Sequence, residues 1–307
     1  MKDIYQKTIS EPITFKGIGL HTGENSKITI LPGKEDEGII FKRVDLKDNN
    51  LINANFQSVT SAKLCTTLEN QFGTKVSTVE HLLAALYISD IDNVIIEIDN
   101  EEVPIMDGSA KNFLDVINKV NLKKQNKKRK LLKILEKVEL SDGSRKISIE
   151  PSDNLEVDFQ LNYKNNIIGN QRNVVDLSKD DLKDISNSRT FCLYEDIEKI
   201  KKIGLAKGGS LENAVVVEND KILNQGGLRN EKEFVNHKIL DLVGDFLLSG
   251  YRIVGKVKCY QGGHELTNMF LRKLLGSKPG LSSVISNSLQ ISKKITTGSI
   301  TKLAANA

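Results

Sequence analysis

Cysteine is scarce in this sequence. Cys65, Cys192 and Cys259 are odd in number, widely spaced and without a C-x-x-C pair, which argues against both a disulfide framework and a thiolate metal site. Any metal must then be held by nitrogen and oxygen. Long apolar runs are missing too: none approaches the roughly 20 residues that a bilayer-spanning helix needs. Residues 1–10 are polar with no apolar centre, so no secretion leader is expected and a soluble, cytoplasmic protein is. Nor does one sign of charge dominate. The 307 residues carry 44 basic against 40 acidic side chains, a formal charge of +4. That bias is too weak for a nucleic-acid binder and suits small anionic ligands better. Histidine occurs four times, as His21, His81, His237 and His264, so each one invites a reason.

The hydrophobic fraction of 39% is enough to build real cores, and the length suits two ordinary domains. The run Lys123-Lys-Gln-Asn-Lys-Lys-Arg-Lys130 has almost no apolar content and no interleaved aromatics. It reads as a solvated linker rather than a polyanion-binding patch, and the boundary falls there, giving domains 1–126 and 127–307. In the first, residues 27–31 and 38–44 read as strands, 78–88 as a helix, 93–98 as a buried strand and 110–120 as a second helix. In the second, strands at 132–140 and 145–150 flank a hairpin signal at Asp142-Gly143. Strands at 155–163 and 173–177 follow, then a helix at 231–249 stopped by Gly250, a strand at 251–260 and a helix at 266–275. Each half thus repeats several strands, a helix, a strand and a helix. This predicts an α+β fold of two similar two-layer sandwiches. Residues 192–224 interrupt the repeat, with a helix ending at Gly204 and a hairpin at Asn219-Asp220. The chain after Gly276 has no assignment.

In Ser77-Thr-Val-Glu-His81, Ser77 and Glu80 have the spacing of a capping box. The other reading puts His81 on a metal and makes Glu80 the general base for an attacking water. Both hold only if Glu80 is freed from capping. Farther on, His237 and Asp241 are four residues apart and share a helix face, and Asp245 continues that stripe. The helix around them is apolar nearly all round and therefore buried. Buried charges need partners, which a metal and a second histidine would supply; an internally satisfied polar seam is the alternative. His264, after Gln261-Gly-Gly263, opens a helix whose N-terminus disfavours an imidazolium. An acid role there needs a nearby carboxylate, for which Asp245 is the candidate. Gly17-Ile-Gly-Leu-His-Thr-Gly23 matches neither a Walker loop nor a dinucleotide fingerprint and reads as a tight turn. Ser188-Arg-Thr-Phe191 and Lys207-Gly-Gly-Ser210 say little alone.

Taken in order with Pro104-Ile-Met-Asp-Gly-Ser109, these segments resemble the UDP-3-O-acyl-N-acetylglucosamine deacetylases, the zinc enzymes of the committed step of lipid A synthesis. The resemblance runs from about Thr14 to Leu275. It implies one zinc per chain on His81, His237 and Asp241, Glu80 as general base, and His264 as general acid oriented by Asp245. Thr190 would help hold the oxyanion. Lys238, Phe191, Gly209, Ser210 and Leu20 would contact a UDP-linked acylated amino sugar, and residues 192–224 would form an apolar passage for its acyl chain, with Ile197, Ala206 and Val216 in the lining. The resemblance also implies a site between the two domains; a monomer is expected. The stretch after Phe191 is more polar than that role suggests, and the tail has no counterpart. Two other readings stay open: a zinc amidohydrolase for a different acylated sugar or amide, and a binding protein whose metal is structural. Iron(II) accepts similar ligands.

Overall fold

The computed structural model describes residues 4–276 and the backbone of 282–286. It is α+β, built mainly from antiparallel sheets with six α-helices among the described residues: α1 (Glu80–Ile88), α2 (Lys111–Ile117), α3 (Lys183–Asn187), α4 (Tyr194–Lys202), α5 (Glu233–Leu247) and α6 (His264–Leu275). None is long and apolar enough to cross a membrane. Residues 1–3 of the polar amino-terminal stretch lie outside the described residues.

The repeated order read from the sequence corresponds to a repeated connectivity. In the first half the strand Val94–Ile98 is central, antiparallel to Asn25–Pro32 on one edge and parallel to Ile39–Arg43 on the other. Beyond these lie Ile13–Ile18 and Leu51–Asn53, each antiparallel to its neighbour. In the second half Arg252–Tyr260 takes the central place, antiparallel to Arg145–Glu150 and parallel to Leu155–Asn162. Its outer strands, Val138–Asp142 and Asn170–Asp176, are again antiparallel to their neighbours. A helix precedes each central strand (α1, α5) and a helix follows it (α2, α6). Period-two burial drives this, since one face of each strand must be covered. Ile28 and Ile30 point inward opposite Ile98 and Ile96, and Ile147 and Ile149 opposite Cys259 and Val257.

Two expectations need correction and one open choice is decided. The lysine-rich run is not a solvated linker: Leu122–Lys128 is a strand antiparallel to Tyr5–Ile9. Lys123, Lys124 and Lys127 remain exposed while Gln125 turns inward and donates to the Gly33 carbonyl at 3.0 Å, so alternation lets a charged run pair its backbone. Residues 132–140 are two strands, Lys130–Ile134 and Val138–Asp142. Glu136 falls in the inward phase set by Leu132 and Ile134, where a carboxylate has no place, and the chain changes partners there. Third, the capping box does not form. Ser77 Oγ donates to the Glu101 carbonyl at 3.2 Å, and Thr78 adopts a left-handed φ of 55°, a conformation costly for a β-branched residue. Helix α1 therefore begins without a side-chain cap, and Glu80 is free for other partners.

Helices α1 and α5 meet across the two halves at Gly244. A Cβ built there would stand 2.1 Å from the Glu80 carbonyl oxygen and 3.2 Å from the Ala84 nitrogen. Only a residue without a side chain permits that approach. Gly244→Ala is expected to lower stability by about 1–3 kcal/mol or more, as overpacking does. Urea unfolding reads this, and an unchanged midpoint would show that the crossing has slack.

Candidate metal centre and catalytic cluster

The crossing at Gly244 puts the first turn of α1 against the middle of α5. His81 and Glu80 come from α1, and His237, Lys238, Asp241 and Asp245 from α5. His264, the first residue of α6, completes the cluster. All but Lys238 are buried.

One ligand-type atom from each of His81, His237 and Asp241 lies within 4.8 Å of those of the other two. Asp241 Oδ1 stands 3.5 Å from His81 Nε2 and 3.3 Å from His237 Nε2, with no hydrogen-bond partner of its own. These separations suit shared coordination: two ligands about 2.0–2.1 Å from a tetrahedral zinc stand roughly 3.3–3.4 Å apart. The surrounding bonds prepare the set. The Ser188 carbonyl lies 3.1 Å from His237 Nδ1, which turns Nε2 inward as a free lone pair. Lys238 Nζ donates to Asp241 Oδ2 at 2.9 Å and leaves Oδ1 available. Burial, with His81 and Lys238 adding to it against Asp241, pushes the His237 imidazole down to about 3, so no proton competes for it at neutral pH. Burial opposes ionisation of Asp241, yet His237, Lys238 and His264 outweigh it and hold this carboxyl well below the usual range. A buried, unpaired carboxylate oxygen facing two imidazoles fits a divalent cation. Cys65 is not part of this set; its burial pushes the thiol up to about 12.

Beside these residues stand a third imidazole and two further carboxylates, those of His264, Glu80 and Asp245. His264 Nδ1 is 2.8 Å from Asp245 Oδ2, and its Nε2 is 3.7 Å from Glu80 Oε1 and 3.8 Å from Asp241 Oδ2. Burial works against the imidazolium, but Asp245, Glu80 and Asp241 together raise His264 to about 10. Glu80 is raised by its own burial, against the pull of His264 and His81. The Thr66 amide donates to Glu80 Oε2 at 3.0 Å, and the Thr66 hydroxyl to Asp245 Oδ1 at 2.7 Å.

The remaining expected residues lie together in one cavity of about 390 Å³. Leu20, Thr190, Phe191, Ile197, Ala206, Gly209, Ser210 and Val216 all line it. Helix α4 lines this space with Ile197 and Ile200 and also with Glu198 and Lys201, so its wall is apolar only in part. Phe191 joins cavity and cluster: its ring centre is 6.2 Å from that of His237 and 5.5 Å from Lys238 Nζ. Two contributors escaped the sequence reading. Thr66 sits in an unremarkable Leu64-Cys-Thr-Thr67. Buried Glu102 accepts from the amides of His21 and Thr22 and from the hydroxyls of Thr22 and Thr78, and so ties the Gly17–Gly23 turn to the start of α1. A carboxylate placed just before Pro104-Ile-Met-Asp107 was the available signal.

A family model described as UDP-3-O-acyl N-acetylglycosamine deacetylase matches residues 6–276. Curated relatives carrying the name UDP-3-O-acyl-N-acetylglucosamine deacetylase are similar over nearly the same span. That of Pseudoalteromonas translucida is 41% identical over 278 residues, covering 90% of this chain and 92% of the relative. That of Pasteurella multocida is 41% identical over 278 residues, covering 90% and 91%. That of Phenylobacterium zucineum is 38% identical over 275 residues, covering 88% and 93%.

If the three-residue set holds a metal, His81→Ala, His237→Ala and Asp241→Ala should each leave purified protein with far less than one equivalent of bound divalent metal by atomic emission. A full equivalent in all three variants contradicts the assignment.

Proposed function

The chain belongs to the UDP-3-O-acyl N-acetylglycosamine deacetylase family, and from that membership we propose that it hydrolyses the acetamide of UDP-3-O-acyl-N-acetylglucosamine. The products are UDP-3-O-acyl-glucosamine and acetate, and the reaction is the committed step of lipid A biosynthesis. One zinc per chain, held by His81, His237 and Asp241, is the cofactor. The observation that supports this most directly is the buried Glu80–His264 pair, 3.7 Å apart, beside an unpartnered Asp241 Oδ1. A purely structural metal needs neither an acid nor a base next to it. With the chain divided into domains 1–126 and 127–307, the cluster lies between them.

When bound, zinc polarises the amide carbonyl and lowers the pKa of water toward about 7. The rest falls to the chain's own side chains. Glu80, with Oε2 tied to the Thr66 amide, presents Oε1 to take the proton of the attacking water. Its raised affinity for protons, caused by burial, makes it a better base than an exposed glutamate. As the carbonyl carbon becomes tetrahedral, Thr190 helps hold the developing oxyanion. Collapse expels the sugar amine, which needs a proton, and His264 Nε2 supplies it while Asp245 keeps hold of Nδ1. Lys238 and Phe191 contact the substrate at the mouth of the cavity, and Leu20, Gly209 and Ser210 line the way inward. The acyl chain runs along Ile197, Ala206 and Val216. This cavity favours an acylated sugar over the reading in which another amide is the substrate. Acetate release should therefore be much faster from the acylated nucleotide sugar than from the same sugar without its acyl chain; equal turnover would return the choice to a general amidohydrolase.

Two variants separate the roles. Glu80→Ala should retain its metal and lose about 10²–10⁴ in rate, the usual worth of a positioned base. Near-native turnover would leave Glu80 without that role. The pH profile of kcat/KM should rise as Glu80 deprotonates and fall as His264 loses its proton, because the reaction needs the base form of one and the acid form of the other. The Asp245 charge raises His264, so Asp245→Asn should move the descending limb to lower pH while metal content holds. An unmoved limb means that Asp245 does not tune the acid.

A further inference from the structure

Four groups in the cluster form a closed ring. Glu80 Oε2 accepts from the Thr66 amide at 3.0 Å, and the Thr66 hydroxyl donates to Asp245 Oδ1 at 2.7 Å. Asp245 Oδ2 meets His264 Nδ1 at 2.8 Å, and His264 Nε2 returns to Glu80 Oε1 at 3.7 Å. Thr66 is the member with no charge and no chemistry of its own, and it is buried. Each carboxylate therefore has one oxygen occupied by Thr66 and the other turned to His264. A buried carboxylate with one free oxygen can rotate about its terminal torsion, which is broad and roughly two-fold. The Thr66 hydroxyl removes that freedom from Asp245.

We propose that Thr66 is a positioning residue which, by donating its hydroxyl to Asp245, fixes the carboxylate that orients His264 and so holds the acid in line with Glu80. This rests on the deacetylase reading above and extends it to a residue from a separate strand region. Thr66 lies between the strands Val59–Ser61 and Thr67–Glu69, so acid and base are aligned by a chain segment that carries neither. The amide that binds Glu80 belongs to the backbone and survives substitution, whereas the hydroxyl that binds Asp245 does not. The two functions of Thr66 can thus be separated by mutation.

Thr66→Val keeps the shape and the amide but removes the hydroxyl. Its kcat should fall on the order of 10–100-fold, the common effect of losing an outer partner of a site, with KM, bound metal and melting temperature near native. Thr66→Ser should recover most of the loss. Adding Thr66→Val to Asp245→Ala should cost no more than about twofold further, because a residue that acts through another is non-additive with it. The His264 Nδ1–H proton gives a readout independent of substrate. Its resonance, assigned with His264→Asn, should shift or broaden in Thr66→Val and recover in Thr66→Ser. Native kcat in Thr66→Val, a loss that tracks missing metal or lowered melting, losses that multiply with those of Asp245→Ala, or an unchanged His264 resonance would each overturn the proposal. If the native protein releases no acetate from the acylated nucleotide sugar, the deacetylase reading fails, and the resonance still decides whether Thr66 holds the pair in place.

Discussion

At Gly244 the backbone of α5 passes the carbonyl of Glu80 closely enough to leave no room for a side chain. The site depends on that contact. Helix α1 carries Glu80 and His81 on its first turn, while α5 carries His237, Asp241 and Asp245 along one stripe. Packing density in protein interiors leaves little tolerance, so a crossing displaced by an ångström would separate His81 from Asp241. The two helices occupy equivalent places in the duplicated connectivity, each lying just before the central strand of its sheet. The site therefore lies where two copies of one supersecondary unit face each other.

That crossing also explains the electrostatics. Glu80, Asp241 and Asp245 would not tolerate burial alone, because desolvation of an isolated carboxylate is severe. Three imidazoles and Lys238 share the space and divide the carboxylates among them. Asp241 is held ionised, and His237 stays neutral, which is what coordination demands. His264, surrounded by carboxylates, is raised to about 10, and Glu80 is raised by its own burial. Like residue types thus shift in opposite directions according to their neighbours, the two imidazoles moving apart and the two carboxyls likewise.

Much of this was legible beforehand, and the exceptions have physical causes. The four-residue spacing of His237 and Asp241 on an apolar helix, and the place of His264 at a helix start, were readable because helical periodicity is short-range. Between the two readings of Ser77 and Glu80 local sequence does not choose, because the capping box fails through Glu102, a residue distant in sequence, which accepts the hydroxyl of Thr78 in its left-handed conformation. The lysine-rich run reads as a linker because its partner strand, Tyr5–Ile9, lies more than 100 residues away. Thr66 escaped notice altogether: a threonine in a short strand region has no signal until the fold brings Asp245 to it. Local pattern revealed the elements and several reactive side chains, whereas tertiary contacts decide which oxygen of each carboxylate is free.

In the proposed reaction a metal on His81, His237 and Asp241 and the Glu80–His264 pair act as one catalytic unit. The most direct test strips the protein of metal, returns zinc in measured steps and follows acetate release from the acylated nucleotide sugar. Joint action of metal and pair predicts negligible release without metal and a linear rise that stops at one zinc per chain. Undiminished release from metal-free protein, or a rise that continues well past one equivalent, would contradict it.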